Sequence, residues 1–192
     1  MLLLASASPR RRDLLRNAGI EFEVLSVPVD ETPLPGERAE ALARRLAQAK
    51  ARAAYAAAKN DPHFANQKLL VLGADTVVTV DGHVLGKPPD EEDAARMLRL
   101  LSGKTHQVIT GIALEGARGP LVDSVTTEVT FSPITEAEVR AYIATGEPMD
   151  KAGAYAIQGI ASRWAVEING CYFNVVGLPV SIVWRLTSGN SQ

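Results

Sequence analysis

The sequence predicts an α/β protein with a mixed, twisted sheet and flanking helices. In the first half of the chain, short β-prone segments alternate with helical ones, as parallel strands require. Further along, pairs of β-prone segments are separated by short turns, which is typical of antiparallel hairpins. A chain of 192 residues that is 46% hydrophobic can bury an ordinary core. One domain spanning residues 1–192 is therefore expected.

Helix signals in the first half are specific. Ser8 suits an N-cap and Pro9 the first helical position, while Gly19 is placed to end that helix. Leu42 and Leu46 have helical spacing within an Ala-rich stretch. The predicted elements are strand 2–5, a helix between Pro9 and Gly19, strand 20–29, helix 37–59 and strand 69–80.

The second half contains turn and cap signals. Asp81-Gly82 is a hairpin turn signal, Asp90 can cap a helix, and Thr135 with Glu138 has capping-box spacing. Residues 121–131 alternate between apolar and polar, which indicates a strand. The predicted elements are strand 83–85, helix 90–101, strands 106–115 and 121–131, helix 135–144, strand 165–169 and a closing helix 176–186.

Composition excludes several classes of protein. The formal net charge of -2 argues against a nucleic-acid binder, which usually has a basic surface. The only cysteine, Cys171, allows neither an internal disulfide nor a Cys-rich zinc site, and fits the reducing cytoplasm. Because no apolar run reaches the roughly 18 residues of a membrane span and the first residues lack a signal peptide's basic region, we expect a soluble protein.

Basic residues follow Pro9 where the helix begins. The helix dipole is positive there and disfavours each cation by roughly 0.3–1 kcal/mol, so the placement suggests that an anion binds. Backbone N–H groups and guanidinium groups together form a strong phosphate site. A solvated basic helix end is the alternative. The residues concerned are Arg10, Arg11 and Arg12.

Two acidic residues are candidates for catalysis. Asp75 lies in an apolar β-prone run, where an ionised carboxylate is costly without a cation or several donors. A divalent metal or a proton-transfer role would justify it, although hydrogen bonds at a strand end would also do so. Glu31 follows a predicted strand and could share a Mg²⁺ or Mn²⁺ ion, whose preferred ligands are oxygens. Alone, an acid at this position would more often be an ordinary loop acid.

Three further polar side chains are candidates for ligand binding. Lys50 falls on the apolar stripe of its helix, so it points toward a cleft or snorkels past it. Lys87, between Gly86 and Pro88, could bind a phosphate as a point charge or be an exposed turn lysine. Gln158 can donate and accept, which matches the edge of uracil or thymine.

Taken in order, four segments resemble the Maf family of nucleoside triphosphate pyrophosphatases. The resemblance extends from Leu4 to about Pro179. The segments are Leu-Ala-Ser-Ala-Ser-Pro-Arg-Arg at 4–11, Gly-Ala-Asp-Thr at 73–76, Leu-Gly-Lys-Pro at 85–88 and Asp-Lys-Ala-Gly-Ala-Tyr-Ala-Ile-Gln-Gly at 150–159.

The resemblance implies an inosine-triphosphatase-like fold with two lobes around a cleft. It also implies a divalent metal (Mg²⁺ or Mn²⁺), cleavage of a nucleoside triphosphate between its α and β phosphates, and a homodimer. Asp75 would be the catalytic proton acceptor and, with Glu31, a metal ligand. The phosphate and metal site would be lined by Ser6, Arg11, Glu31, Lys50 and Lys87. The catalytic residues would be Asp75, Glu31, Lys50 and Lys87. Substrate choice would be associated with Arg10, Thr76 and Gln158.

Gln158 favours the branch that acts on dTTP and UTP. A branch preferring 7-methyl-GTP has an acidic residue there, which suits the N–H donors of guanine. That activity remains an alternative, as do a nucleotide-binding regulator of cell division without turnover and a phosphatase releasing orthophosphate.

Overall fold

Helices and strands alternate along the first half of the chain, as the sequence predicts. The computed structural model describes residues 1–65 and 67–188. The helices are α1 (Pro9–Asn17), α2 (Ala39–Lys59), α3 (Glu91–Leu101), α4 (Glu136–Ile143), α5 (Tyr172–Val176) and α6 (Val180–Ser188). The strands are β1 (Leu2–Leu4), β2 (Glu23–Val24), β3 (Leu70–Val80), β4 (His83–Leu85), β5 (Thr105–Gly116), β6 (Leu121–Phe131) and β7 (Ala165–Asn169). Short 3-10 helices span Glu147–Asp150, Ala152–Ala154 and Ile160–Trp164.

These strands form a mixed sheet of order β2-β1-β3-β5-β6-β7, with β4 also paired to β3. Strand β1 is parallel to both β2 and β3, as expected of strands joined through helices. Strand β4 is antiparallel to β3, and β7 is antiparallel to β6. Asp81 and Gly82 both have positive φ, 49° and 79°, as a type I′ hairpin turn requires. The predicted mixed α/β class is confirmed.

The chain divides into two compact units. The first comprises Met1–Asp75, Thr110–Val125 and Gly177–Gln192, and the second comprises Thr76–Ile109 and Thr126–Val176. Strands β3, β5 and β6 each pass from one unit to the other. The single two-lobed domain stays a prediction.

Helix α2 packs closely on the sheet in the first unit. Its buried alanines include Ala47 and Ala51, which pack with Leu3 and Val71. A Cβ on Gly73 of β3 would lie 2.1 Å from the Ala47 carbonyl oxygen, so only glycine permits this approach. The close packing fixes the position of the helix that carries Lys50.

An aromatic cluster forms the core of the second unit. Phe131, Tyr155 and Trp164 are almost fully buried and meet edge to face, as aromatic rings prefer. Tyr142 of α4 contacts Trp164 in the same way, with ring centroids 5.1 Å apart. Helix α4 begins with the predicted capping box of Thr135 and Glu138.

Two predicted elements differ from the structure. Strand β2 has only two residues instead of 20–29, because its partner β1 ends at Leu4, which pairs with Val24. The predicted closing helix 176–186 is interrupted, because Gly177 has a φ of 127°, which no helix accommodates. The interruption is followed by Pro179 and then by α6.

Within the described ranges, none of the helices has the length and apolarity that crossing a membrane requires.

Candidate active site

Arg11 and Ser6 form the first part of a polar cluster in the first unit. Both are buried where the chain passes from β1 into α1. The Nη1 of Arg11 donates to Ser6 Oγ at 3.0 Å, and its Nε donates to the Gly177 carbonyl oxygen at 2.8 Å. The predicted N-cap Ser8 starts the helix without a side-chain cap bond, and its backbone N–H donates to Ser6 Oγ at 3.3 Å. These bonds fix the direction of the guanidinium.

Charges of both signs surround the buried Arg11. Burial lowers the pKa of Arg11, while the nearby charges of Asp75 and Glu31 raise it and that of Arg10 lowers it. Both carboxylates therefore act favourably on the buried cation. A bound anion would act in the same way, and it would also offset the repulsion between the two arginines.

Lys50 joins two of the predicted catalytic acids. Its Nζ lies 2.6 Å from Glu31 Oε1 and 2.6 Å from Asp75 Oδ1. The side chain of Asp75 is 11% exposed, that of Lys50 15% and that of Glu31 50%. The buried acid thus has a cation, and the lysine neither snorkels nor points away into solvent. Helix α2 and strand β3 hold Lys50 and Asp75 in this geometry.

The sequence-predicted residues are distributed over both units. In the first unit, direct contacts join Ser6 to Arg11, and Lys50 to both acids, while charge coupling relates Arg11 to Arg10, Glu31 and Asp75. Thr76 follows Asp75 along β3, and Lys87 and Gln158 belong to the second unit.

The Lys87 and Gln158 segments are neighbours within the second unit. Both side chains belong to exposed residues. The Gly153 N–H donates to the Gly86 carbonyl oxygen at 3.0 Å, which links the 85–88 and 150–159 segments. Gly153 has a φ of 71°, and a Cβ there would lie 2.9 Å from Val78, so glycine is required.

Two residues that sequence reasoning missed fix the backbone around Gln158. The Tyr142 hydroxyl donates to Glu147 Oε1 at 2.8 Å and accepts from the Ala156 N–H at 3.2 Å. Glu147 Oε1 also accepts from the Ile160 N–H at 3.1 Å. The only sequence signal was the proximity of Glu147 to the 150–159 segment. Gly177 was missed too, because a backbone carbonyl carries no residue-type signal.

The metal prediction rests on Glu31 and Asp75. In the described part of the chain, no group of three or more His, Cys, Asp or Glu side chains could hold a metal ion together. The two acids do converge, since both reach the same ammonium. Mg²⁺ is commonly held by one or two carboxylates together with substrate phosphates. The donor set therefore fits a metal that arrives with a triphosphate.

Comparison with known proteins identifies the family. A family model described as "Maf-like protein" matches residues 1–189. This chain belongs to the Maf-like family. The expected family membership is thereby confirmed across nearly the whole sequence.

Curated relatives of this Maf-like chain share one name. A protein of Koribacter versatilis named dTTP/UTP pyrophosphatase is 53% identical over 185 residues, which cover 96% of this chain and 92% of the relative. Another protein so named, from Pectobacterium atrosepticum, is 52% identical over 179 residues, covering 93% and 87%. A third, from Escherichia coli O157:H7, is 48% identical over 187 residues, covering 97% and 91%.

A solved structure supports the fold. The Ham1 protein of Staphylococcus aureus matches with a TM-score of 0.51 and 15% identity, and the match covers 99% of each chain. At this identity the likeness concerns the fold alone.

Proposed function

We propose that this chain is a nucleoside triphosphate pyrophosphatase that hydrolyses dTTP and UTP to the nucleoside monophosphate and pyrophosphate. The observation that carries the proposal is the buried Asp75 carboxylate. Lys50 contacts both this carboxylate and that of Glu31. The charges of both acids also act on the buried guanidinium of Arg11. The names of the curated relatives support the same activity. A cluster of cations and acids of this kind suits a reaction in which negative charge builds on phosphate oxygens.

Asp75 accepts the proton in this proposal. A water oxygen attacks the α-phosphorus, its proton passes to the Asp75 carboxylate, and the bond from the α-phosphorus to the bridging oxygen breaks. The bridging oxygen leaves with pyrophosphate. Arg10, Arg11 and Lys50 stabilise the charge on the phosphate oxygens, and the Ser6 hydroxyl orients Arg11.

Three residues of the second unit have proposed roles in substrate binding. Lys87 is proposed to bind the phosphate chain as a point charge. Thr76 and Gln158 are proposed to act in substrate choice, with the Gln158 amide donating to and accepting from the pyrimidine edge. The exposure of Lys87 and Gln158 supports these roles, since neither side chain is committed to the core.

Glu31 and Asp75 are the residues that would hold a Mg²⁺ or Mn²⁺ ion. When bound, such an ion neutralises charge on the phosphate oxygens. Lys50 contacts both acids, so its single positive charge compensates part of their combined negative charge, including that of the buried Asp75.

A product assay tests the proposed function. Purified protein is incubated with UTP, dTTP, CTP, GTP and 7-methyl-GTP, with Mg²⁺ or Mn²⁺ and with EDTA, and pyrophosphate and orthophosphate are measured separately. We expect pyrophosphate from UTP and dTTP, and its loss with EDTA. Binding without turnover would favour the regulator, orthophosphate release a phosphatase, and a preference for 7-methyl-GTP the other branch.

Two further expectations accompany this proposal. We propose a cytoplasmic enzyme, which the single cysteine supports, and a homodimer, which the family resemblance supports. Sedimentation at several protein concentrations tests the second, and a monomer throughout would contradict it.

A further inference from the structure

Glu31 lies in a segment that no backbone ladder holds. Residues 25–38 are in neither helix nor strand, and the Glu31 side chain is half exposed. A loop acid of this kind would ordinarily sample many orientations. Its 2.6 Å contact with Lys50 therefore requires that something else fix the loop.

An arginine of α2 contacts this loop. Arg45 Nε lies 2.7 Å from Glu37 Oε1, and its Nη2 lies 2.8 Å from Glu37 Oε2, so the pair is bidentate. The Glu37 side chain is only 8% exposed. Arg45 stands five positions before Lys50 on the same helix. One helix thus carries both the partner of Glu31 and the anchor of its loop.

The clamp formed by Arg45 and Glu37 also binds the backbone next to Glu31. Thr32 is the residue directly after Glu31, and Arg45 Nη2 donates to its carbonyl oxygen at 3.0 Å. The Leu34 N–H donates to Glu37 Oε2 at 3.0 Å, which closes the loop onto the carboxylate.

We infer that Arg45 is a positioning residue that acts through Glu31. Held by Glu37 on one side and Thr32 on the other, it keeps Glu31 directed at the Lys50 and Asp75 pair. This role deepens the proposed function and rests on it. The pKa of Arg45 is raised chiefly by its bond to Glu37 and, to a lesser extent, by the charges of Asp30 and Asp75. Its bond to Glu37 holds the pKa of that carboxyl at about 2, so the pair stays ionised at neutral pH.

A double-mutant cycle with Glu31 tests the inference. We expect Arg45→Gln to lower kcat/KM for UTP by roughly 10- to 100-fold, the range typical of residues that orient ligands of a metal. In a Glu31→Gln background, the same substitution should add less than about threefold, because the residue through which it acts is gone. A full, multiplicative loss in the double variant would overturn the inference.

Amide exchange supplies a readout independent of activity. Arg45→Gln should remove hydrogen-exchange protection from the Leu34 N–H while leaving that of β3 unchanged. Arg44→Gln is the matched control: Arg44 is the neighbouring arginine, pairs with Glu40 at 3.6 Å and donates to the Val122 carbonyl oxygen at 3.3 Å. The control should keep both Leu34 protection and activity. Equal losses in the two variants would overturn the inference.

Other outcomes separate this inference from the proposed function. Should Arg45→Gln fail to fold, Glu37→Gln removes the clamp from its other side and carries the same cycle. A wild-type protein that releases no pyrophosphate overturns the proposed function, and the catalytic role of the clamp with it. Normal wild-type turnover with unchanged Leu34 protection in Arg45→Gln overturns the clamp alone.

Discussion

Asp75 is an acid in the middle of a buried strand, and the lysine that compensates it comes from the helix packed on that strand. A buried carboxylate without a counter-charge would be strongly unfavourable. Lys50 supplies that charge at 2.6 Å and also contacts Glu31. The arrangement places a positive charge directly beside the buried carboxylate that we propose as the proton acceptor.

Replacing Asp75 by asparagine tests its role. The Asp75→Asn variant keeps the shape of the side chain but removes the proton acceptor, and losing such a group typically costs roughly 10²- to 10⁴-fold in rate. Steady-state pyrophosphate release from UTP provides the measurement. Asp81→Asn is the matched control, because Asp81 also contacts a lysine at 2.6 Å but lies on the exposed hairpin turn. Near-normal turnover of Asp75→Asn would refute the assignment.

The sequence predicted a set of candidate site residues but not how they pair. An acid in an apolar strand indicates the need for a cation, yet Lys50 and a metal ion would both satisfy it. The choice depends on the rotation of α2 about its axis, which tertiary packing sets. The acceptor of Arg11 could not be found either, because any backbone carbonyl can fill that role.

Helix α2 lies unusually close to the sheet at two glycines. A Cβ at Gly73 would approach the Ala47 carbonyl oxygen to 2.1 Å, and one at Gly111 would approach the Ala43 carbonyl oxygen to 2.3 Å. Such distances cannot be relieved by rotating a side chain, since both partners are backbone atoms. The helix would have to move, and Lys50 would move with it.

Gly73→Ala should therefore destabilise the protein and weaken catalysis together. Overpacking in a core typically costs about 1–3 kcal/mol, and backbone clashes belong at the upper end. Thermal unfolding and kcat measure the two effects. Gly86→Ala is the control for stability, because its Cβ would meet nothing within 4 Å. Equal melting temperatures for the two variants would contradict the packing described for α2.

Tyr142→Phe should loosen the segment that carries Gln158. The variant removes the hydroxyl that bonds Glu147 and the Ala156 N–H. We expect the ratio of kcat/KM for UTP to that for GTP to fall several-fold, and stability to fall by about 1 kcal/mol. Tyr172→Phe, at an exposed tyrosine, is the control. Stability lost with selectivity unchanged would show that this hydroxyl has no part in substrate choice.

Most elements follow from local signals, and the exceptions have tertiary causes. The capping box of Thr135 and the Asp81-Gly82 turn are encoded in adjacent residues, and both form as predicted. The length of β2 depends instead on how much of β1 remains to pair with it, which is not a local property. The 3-10 helices between Glu147 and Trp164 have no periodic pattern of apolar residues from which they could be predicted.

At the scale of the whole molecule, stability should depend on pH through a buried histidine. His106 is 1% exposed, and its Nε2 lies 2.9 Å from the Tyr155 hydroxyl. Burial lowers the pKa of His106 to about 4, against a smaller opposing effect of the Lys104 backbone. The imidazole is therefore neutral in the folded protein at physiological pH.

Acid should weaken the fold through this group in a defined pH window. Below about pH 6.5 the unfolded chain binds a proton at His106, whereas the folded protein binds it only below about pH 4. The free energy of unfolding therefore falls as the pH is lowered between these values. The full loss is about 3 kcal/mol. Urea unfolding at several pH values measures it, and His106→Asn should flatten the curve. His63→Asn, at an exposed histidine, should not. A wild-type curve that is flat over this window would exclude the effect.

The family could be predicted from four short segments, whereas the partition of the chain could not. The segments have the order and residue types of the family, and the family model matches residues 1–189. The two units are built from alternating stretches of the chain, and boundaries between these stretches fall within β3, β5 and β6. No change of composition marks these boundaries.

The bond from Arg11 to the Gly177 carbonyl oxygen spans 166 positions of the chain. On the ribosome, Arg11 emerges early and its acceptor emerges last among the groups that orient it. A polypeptide that ends before Gly177 contains every acid and base of the cluster. It lacks the carbonyl oxygen that accepts from Arg11 Nε, so this bond cannot orient its guanidinium. The orientation of Arg11 seen in the structure therefore requires that synthesis of the chain has passed Gly177.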